Sequence, residues 1–391
     1  MDPALNPYAP GAGVRPPAMV GRDRQLALMD IAIQRTKRQL KSRPPCFWGL
    51  RGVGKTVLLT ELRRQAVVAD WLTVSLEAAP TQRGHEVARQ RFARDLVLAA
   101  RKKKLMDRHP LRSSLGSISS FSLSVGLTGL TLGVEPTKGR ADTGDATQDL
   151  IELASDISDD LTKRGLGFAV FIDEMQDLDS DFAAAVLAMQ HRANQEEWPV
   201  FVIGAGLPNL PRRLSDIRTY AERLFAYSEI GPLSPEAATA ALVRPAEGAG
   251  AAFSPEAVQV LVEASNGYPY FLQEYGKAIW ELAQASPFTR HDAVNAVMMG
   301  AAALDGGFFP ARWERATKSE RDYLAAMAKD GDQGSATATI ADRLGRTIAG
   351  VGPVRAKLMA KGLVYAPEHG IVKFSVPAMA DFIRRQDAWT L

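Results

Sequence analysis

The chain has 391 residues, 46% of them hydrophobic and 23% charged, with a formal net charge of +3; at roughly 100–200 residues per domain this predicts two or three folded units. No apolar run reaches the ~18–20 residues that cross a bilayer, and the first residues lack the basic-then-apolar pattern of a signal peptide. A single cysteine, Cys46, and five scattered histidines exclude an internal disulfide and a cysteine-built metal centre, so a cytoplasmic protein with no membrane association is expected.

Residues 1–18, rich in proline and glycine, predict a flexible tail. From Met19 onward helix and strand patterns alternate, as in an α/β domain with a mostly parallel sheet. A helix over 22–40 carries Leu26, Met29, Ile33 and Leu40 on one face. A short buried strand at Phe47 and Trp48 leads into a glycine-rich loop, and a helix follows from Thr56 to Val67. Trp71 to Leu76 alternates as a second strand, and Glu86 to Lys104 reads as a long basic helix. At 120–134, Phe121, Leu123, Val125 and Leu127, then Leu130, Leu132 and Val134, alternate on either side of Thr128 and Gly129, which predicts an inserted β-hairpin. The helical pattern returns from Asp145 to Lys163. Gly167 to Ile172 is apolar throughout, as a central parallel strand should be. A helix over Phe182 to Asn194, a strand over Pro199 to Ile203 and a last strand over Leu224 to Ile230 complete an α/β unit of residues 19–232.

Beyond Pro232 the pattern is helical. Ser234-Pro235-Glu236 and Ser254-Pro255-Glu256 repeat one helix start: a capping serine, proline at the first helical position and glutamate in the first turn. Residues 233–305 therefore predict an all-helical unit, and Ala303 to Phe309, with Asp305-Gly306-Gly307, reads as a hinge. Residues 314–391 form a third unit of helices and a short hairpin.

Gly49-Leu50-Arg51-Gly52-Val53-Gly54-Lys55-Thr56 stands between an apolar strand and an amphipathic helix. Glycines at 49, 52 and 54 let backbone N–H groups point inward around a phosphate chain, and the helix beginning at Lys55 turns its positive end toward the same place. Lys55 is predicted to reach the β- and γ-phosphate oxygens, Thr56 to ligate Mg²⁺, and Arg51, Val53 and Val57 to line the bound ATP. Phe168 to Glu174 is an apolar strand ending in two carboxylates. Asp173 is expected to hold Mg²⁺ through its water shell, and Glu174 to polarise the attacking water. Together the two motifs identify a P-loop ATPase with ATP and Mg²⁺ as cofactors.

In the last unit Thr337 to Leu344 is expected as a short helix capped by its threonine, with a second helix from Gly350 to Lys361 that admits Pro353 only near its start. Ile340, Ala341 and Leu344, then Val354, Leu358 and Leu363, have the spacing of a helix-turn-helix, and Leu363 to Tyr365 with Ile371 to Phe374 would be its wing. From Ala316 onward eleven basic residues face eight acidic ones, so the whole positive surplus lies here. Double-stranded DNA is the partner this points to, with Arg346, Thr347, Arg355 and Lys357 as candidate contacts; a protein-interaction or purely structural winged helix is the alternative.

The order of features resembles the AAA+ ATPases, in particular the branch of origin-recognition initiator ATPases and STAND signal-transduction ATPases, over residues 19–391. The features are Val20-Gly21-Arg22-Asp23, the phosphate loop, the Asp-Glu strand, Phe201-Val202-Ile203-Gly204, a helical lid and a winged helix. The resemblance implies that Val20, Gly21 and Arg22 lie beside the adenine. It also implies an arginine finger before the last strand, for which Arg223 matches in position and Arg218 is second. Two departures stand out. Gly204-Ala205-Gly206 offers no polar sensor after the fourth strand, and the lid has Gly267-Tyr268-Pro269 where a sensor arginine is usual. That tripeptide is similar to the Gly-x-Pro of STAND proteins, whose proline packs near the adenine, which implies a contact for Pro269. The reading is an ATP-controlled switch with slow turnover in a DNA-associated process, assembling as a homo-oligomer or with a protein partner. The alternative is a STAND-like switch that signals to a protein without binding DNA.

Overall fold

The computed structural model describes residues 1–11, 13–102 and 145–388. The hairpin expected at 120–134 and the end of the helix expected to reach Lys104 lie outside them. The chain forms two compact units, one of Arg22–Gly49 and Lys55–Ile230, the other of Met1–Gly21, Leu50–Gly54 and Gly231–Leu391.

The first unit is built on five parallel strands in the order β2-β3-β4-β1-β5. In chain order its described elements are α1 (Asp23–Lys37), β1 (Pro45–Trp48), α2 (Lys55–Val68), β2 (Leu72–Glu77), α3 (Gln82–Lys102), α4 (Ala146–Arg164), β3 (Phe168–Asp173), α5 (Ser180–Gln195), β4 (Val200–Gly206), α6 (Leu210–Ile217), α7 (Ala221–Leu224) and β5 (Ala226–Glu229). All six residues of β3 are buried, which is why its sequence is uniformly apolar. β4 runs on through Gly206 and so is longer than its periodicity predicts, because the small residues 204–206 still pair with β1. The helices start where short acceptors are available: Asp145 accepts from Thr147 N–H at 2.8 Å, and Asp179 from Phe182 N–H at 2.9 Å. Under the sheet Trp71 stacks on Phe201 with 4.9 Å between centroids. Cys46 is fully buried in the core, and burial pushes its thiol far up, away from reactivity.

Parallel strands place their carboxyl ends on one edge, and loops leaving that edge form the crevice where α/β proteins bind ligands. Gly49, at the end of β1, donates to Gly206 O at 3.1 Å. Asp173 ends the neighbouring strand β3, which lies against β4.

The second unit contains α8 (Pro235–Gly248), α9 (Pro255–Ser265), α10 (Pro269–Leu282) and α11 (Arg290–Ala303). Ser234 and Ser254 cap α8 and α9 by accepting from Ala237 and Ala257 N–H, with proline at the first helical position of each. The segment expected as a flexible tail is instead fixed along these helices. Tyr8 is buried and its hydroxyl donates to Leu242 O, Asn6 donates to Lys277 O, and Trp280 Nε1 donates to Asp2 O at 2.8 Å. A few apolar and polar anchors outweigh the freedom that composition alone implies. The expected hinge at 303–309 is also ordered. Leu304–Phe308 is a π turn continuing α11, and it leads into α12 (Pro310–Trp313). Phe308 stacks on Tyr270 at 4.8 Å and Phe309 on Phe382 at 5.2 Å, so two aromatic rings override two glycines.

The chain ends in α13 (Lys318–Ala328), β6 (Ser335–Ala336), α14 (Thr337–Arg343), α15 (Ile348–Ala360), β7 (Val364–Tyr365), β8 (Ile371–Phe374) and α16 (Met379–Ala388). The short strands form an antiparallel sheet in the order β6-β8-β7. Thr337 does not cap α14; Ala336 holds that position, and the Thr337 hydroxyl donates to Gly370 O at 2.9 Å. Pro353 lies inside α15, not at its start, on an exposed face where a missing helix hydrogen bond is least costly.

Candidate nucleotide site

In the first unit α2 begins at Lys55 directly after the glycine loop. Lys55 is only 7% exposed, and its ammonium donates to Gly49 O at 3.0 Å. The buried ammonium is thus held over the start of the loop by its own backbone. Thr56 Oγ1 donates to Asp173 Oδ2 at 2.6 Å, joining the helix after the loop to the tip of β3. The other Asp173 oxygen accepts from Glu174 N–H at 2.9 Å. Burial pushes the Asp173 carboxyl above its ordinary range, against the lowering effect of the Thr56 and Glu174 hydrogen bonds and Lys55.

Glu174 follows the strand with φ +47° and ψ +41°, a left-handed conformation that costs a residue with a Cβ about 1 kcal/mol or more. The turn throws its side chain off the strand line. Gln176, 4% exposed, donates through Nε2 to Glu174 Oε2 at 2.7 Å and to Asp177 Oδ2 at 3.1 Å. Its Oε1 accepts from Leu207 N–H at 3.0 Å, just past β4. Sequence reading missed Gln176. The only signal was its place two residues after Glu174, beside a strand end that lacks polar side chains.

Lys55, Thr56, Asp173 and Glu174 are therefore brought together as predicted, and Val57 follows them on α2. Arg22 is half-buried at the start of α1, and burial lowers its pKa. The arginine-finger candidates Arg218 and Arg223 are both exposed, on either side of Tyr220, whose ring stacks on His191. Arg213 is tied down instead, donating to Leu178 O at 2.9 Å.

The loop tip, Leu50–Gly54, packs within the second unit. Gly52 and Gly54 have φ +82° and +91°, as inward-pointing amides require. A Cβ on Gly52 would meet Tyr270 at 3.8 Å and Tyr268 at 3.9 Å, so the Gly267-Tyr268-Pro269 turn borders the loop tip. Pro269 opens α10. Gly267 has φ +70°, and a Cβ there would lie 2.4 Å from Leu233 O, which only glycine allows. Gly21, at φ +68°, approaches Ala237 and Leu233 in the same unit. Arg51 stands at the tip, and the half-buried Arg312 has its guanidinium 3.7 Å from the Phe308 ring centroid. Burial first, and then the like charges of Arg51 and Arg315, hold Arg312 down at about 10. The sequence reading did not single out this arginine.

Among the DNA-contact candidates, Arg346 and Lys357 are exposed. Thr347 caps α15 by accepting from Gly350 N–H at 3.1 Å. Arg355 is half-buried with its Nε enclosed, and its charge lies close enough to Tyr323 to act on that phenol. Among the described residues no histidine, cysteine and carboxylate cluster suits a protein-built metal site, and no helix is long and apolar enough to cross a membrane.

The sequence matches the AAA ATPase domain over residues 18–203 and a domain of unknown function over 306–383. No curated protein matches it. Among solved structures it resembles the Walker-type ATPase PABY2304 of Pyrococcus abyssi, with a TM-score of 0.62 and 16% identity over 97% of this chain and 99% of that one. The Aeropyrum pernix Orc1 protein in complex with DNA aligns with a TM-score of 0.45 and 16% identity over 96% of each chain. The Thermotoga maritima RuvB Holliday junction branch migration motor aligns with a TM-score of 0.45 and 13% identity over 93% of this chain and 96% of that one. Residues 18–203 thus match an AAA ATPase domain, in a fold with an α/β P-loop core of AAA+ type followed by helical segments.

Proposed function

We propose that the chain is an ATP-binding, slowly hydrolysing switch of the cytoplasm, in which nucleotide state controls a DNA-associated process. The observation that carries ATP binding is the 2.6 Å hydrogen bond between Thr56 Oγ1 and Asp173 Oδ2, with the Lys55 ammonium buried beside the loop. The donor set fits ATP·Mg²⁺. The hydroxyl and carboxylate are hard oxygen ligands of the kind Mg²⁺ takes, and a carboxyl destabilised by burial gains most from a cation. Mg²⁺ bound with ATP neutralises charge on the phosphate oxygens. Lys55 would hold the β- and γ-oxygens, Thr56 and Asp173 would hold the metal, and Glu174 would orient the attacking water and take its proton. Val20, Gly21, Arg22 and Pro269 serve the adenine end in this reading, which carries over from the resemblance. Arg223 is the proposed finger, supplied to a neighbouring copy, and its exposure suits that role.

The domain division of the reading is 19–232 for the ATPase, 233–305 for the lid and 314–391 for a winged helix. The succession of α13, β6, α14, α15 and the β7–β8 hairpin supports the last, and the surplus of basic residues after Ala316 supports duplex DNA as its partner. A STAND-like switch toward a protein partner is the second reading, favoured by the Gly267-Tyr268-Pro269 turn beside Gly52. Calorimetry with ATP·Mg²⁺ tests the first part. Gel-shift titration on duplex DNA at two salt concentrations, with and without ATP, tests the second. Absence of ATP binding would reject the whole reading, and ATP binding without any DNA shift at low salt would leave the protein-partner switch.

A further inference from the structure

The strand end that lacks a polar side chain is filled from the other side. Gly206 closes β4 and is fully buried, and a Cβ there would come within 2.3 Å of Gln176 Oε1. The volume a side chain at 206 would need is already occupied by the Gln176 amide. That amide faces two kinds of group. Leu207 N–H can only donate, and the Glu174 and Asp177 carboxylates accept, so the network fixes which end is oxygen and which nitrogen. Glutamine meets both demands at once. A glutamate would set a third carboxylate beside two others, and an apolar residue would leave the buried Leu207 N–H without its acceptor.

We infer that Gln176 is a positioning residue for Glu174, a polar strap from the end of β4 that holds the Glu174 carboxylate in place and substitutes for the side chain missing at 206. Three features act together. The left-handed backbone at 174 sets the direction of the side chain. The 2.7 Å bond to Nε2 fixes one carboxylate oxygen. The 3.0 Å bond from Leu207 N–H fixes the strap. One oxygen of Glu174 is thereby held in a fixed place, which is the geometric part of general-base work. The assignment rests on the ATPase reading above.

The full-length protein and its Gln176→Glu, Gln176→Ala, Gly206→Ala and Gln176→Ala/Gly206→Ala variants test it by three measurements: ATP affinity by calorimetry, steady-state ATP hydrolysis, and amide hydrogen exchange at Leu207 without nucleotide. Gln176→Glu should lower kcat by about tenfold to a hundredfold, the range for losing a hydrogen bond to a charged group. Its ATP affinity should stay within about twofold, because Gln176 touches no ligand of the phosphates. Gln176→Ala should speed exchange at Leu207. Gly206→Ala should lower kcat alone and cost less in the Gln176→Ala background, where the 2.3 Å collision with Oε1 is gone and only the approach to Leu210 at 2.9 Å remains. Turnover of Gln176→Glu equal to wild type, or unchanged Leu207 exchange in Gln176→Ala, overturns the assignment. Wild-type protein that neither binds nor hydrolyses ATP overturns the ATPase reading and this assignment with it.

Discussion

Thr56 Oγ1 lies 2.6 Å from Asp173 Oδ2, so side chains 117 positions apart share one hydrogen bond, and both would be to hand to hold Mg²⁺. The same unit buries Lys55 beside the loop. A constellation held by its own hydrogen bonds loses little ordering entropy on binding a ligand.

Lys55→Ala should weaken ATP affinity by about 10- to 100-fold, as removal of a charge-assisted hydrogen bond does. Calorimetric titration reads this, and a variant that binds like wild type would remove Lys55 from the site. Thr56→Val, which keeps the shape, should reduce the Mg²⁺ dependence of binding.

Asp173 gives a pH dependence with a definite sign. Burial raises its carboxyl pKa in the folded protein, so the fold binds that proton more tightly than the unfolded chain does. Stability from this group is therefore present at acid pH and lost as pH rises through the raised value. Asp173→Asn should raise the Tm of the nucleotide-free protein at pH 7–8 and change it little near pH 4. It should also abolish the extra stabilisation by ATP·Mg²⁺. Thermal melts at the two pH values, with and without ATP·Mg²⁺, check both effects.

Glu174→Gln keeps size and hydrogen bonding but cannot take a proton, so hydrolysis should nearly vanish while ATP binding persists. If Arg223 acts on a neighbouring copy, specific activity should rise with protein concentration. Arg223→Ala turnover should then be partly rescued by mixing with Glu174→Gln subunits. Concentration-independent turnover would reject a finger in trans.

For DNA binding, Arg346→Ala and Lys357→Ala should each reduce the slope of log K against log[salt] by about 0.9 if each contacts one phosphate. Arg355→Ala should act mainly on stability, because its side chain is half-buried beside Tyr323. Salt titrations of the three variants separate these effects.

The N-terminal segment has its own test. Tyr8 is 3% exposed, and a Cβ on Gly276 would lie 2.5 Å from its ring, so Tyr8→Ala opens a cavity costing about 3 kcal/mol or more. Tyr8→Phe removes the hydroxyl's bond to Leu242 O, at about 0.5–1.5 kcal/mol. Denaturant unfolding measures both, and an unchanged midpoint in Tyr8→Ala would mean the segment adds nothing to the fold.

Much of this was legible before the fold. Periodicity located the central strands, and the β3 residues were readable because full burial leaves no place for polar side chains. The two serine-proline helix starts were readable because capping is local chemistry. Lys55, Thr56, Asp173 and Glu174 could be singled out because their two motifs are short and contiguous. The contacts that hold residues 2–8 and 304–309 were not legible in the same way. Proline and glycine report local freedom, whereas Tyr8 against Gly276 and Phe308 on Tyr270 are contacts between distant residues.

The sequence by itself determined the α/β core, the helical segments that follow it and the four polar residues proposed for the nucleotide site, because backbone propensity, hydrophobic period and phosphate-loop chemistry all act over a few residues. Only the tertiary structure decided what Gly206 and Gln176 mean. A glycine reads as an absence until the 2.3 Å approach of Gln176 Oε1 shows that its place is taken. A glutamine two residues past the strand gains its role only when β3 and β4 lie side by side and bring Glu174 and Leu207 within reach of one amide.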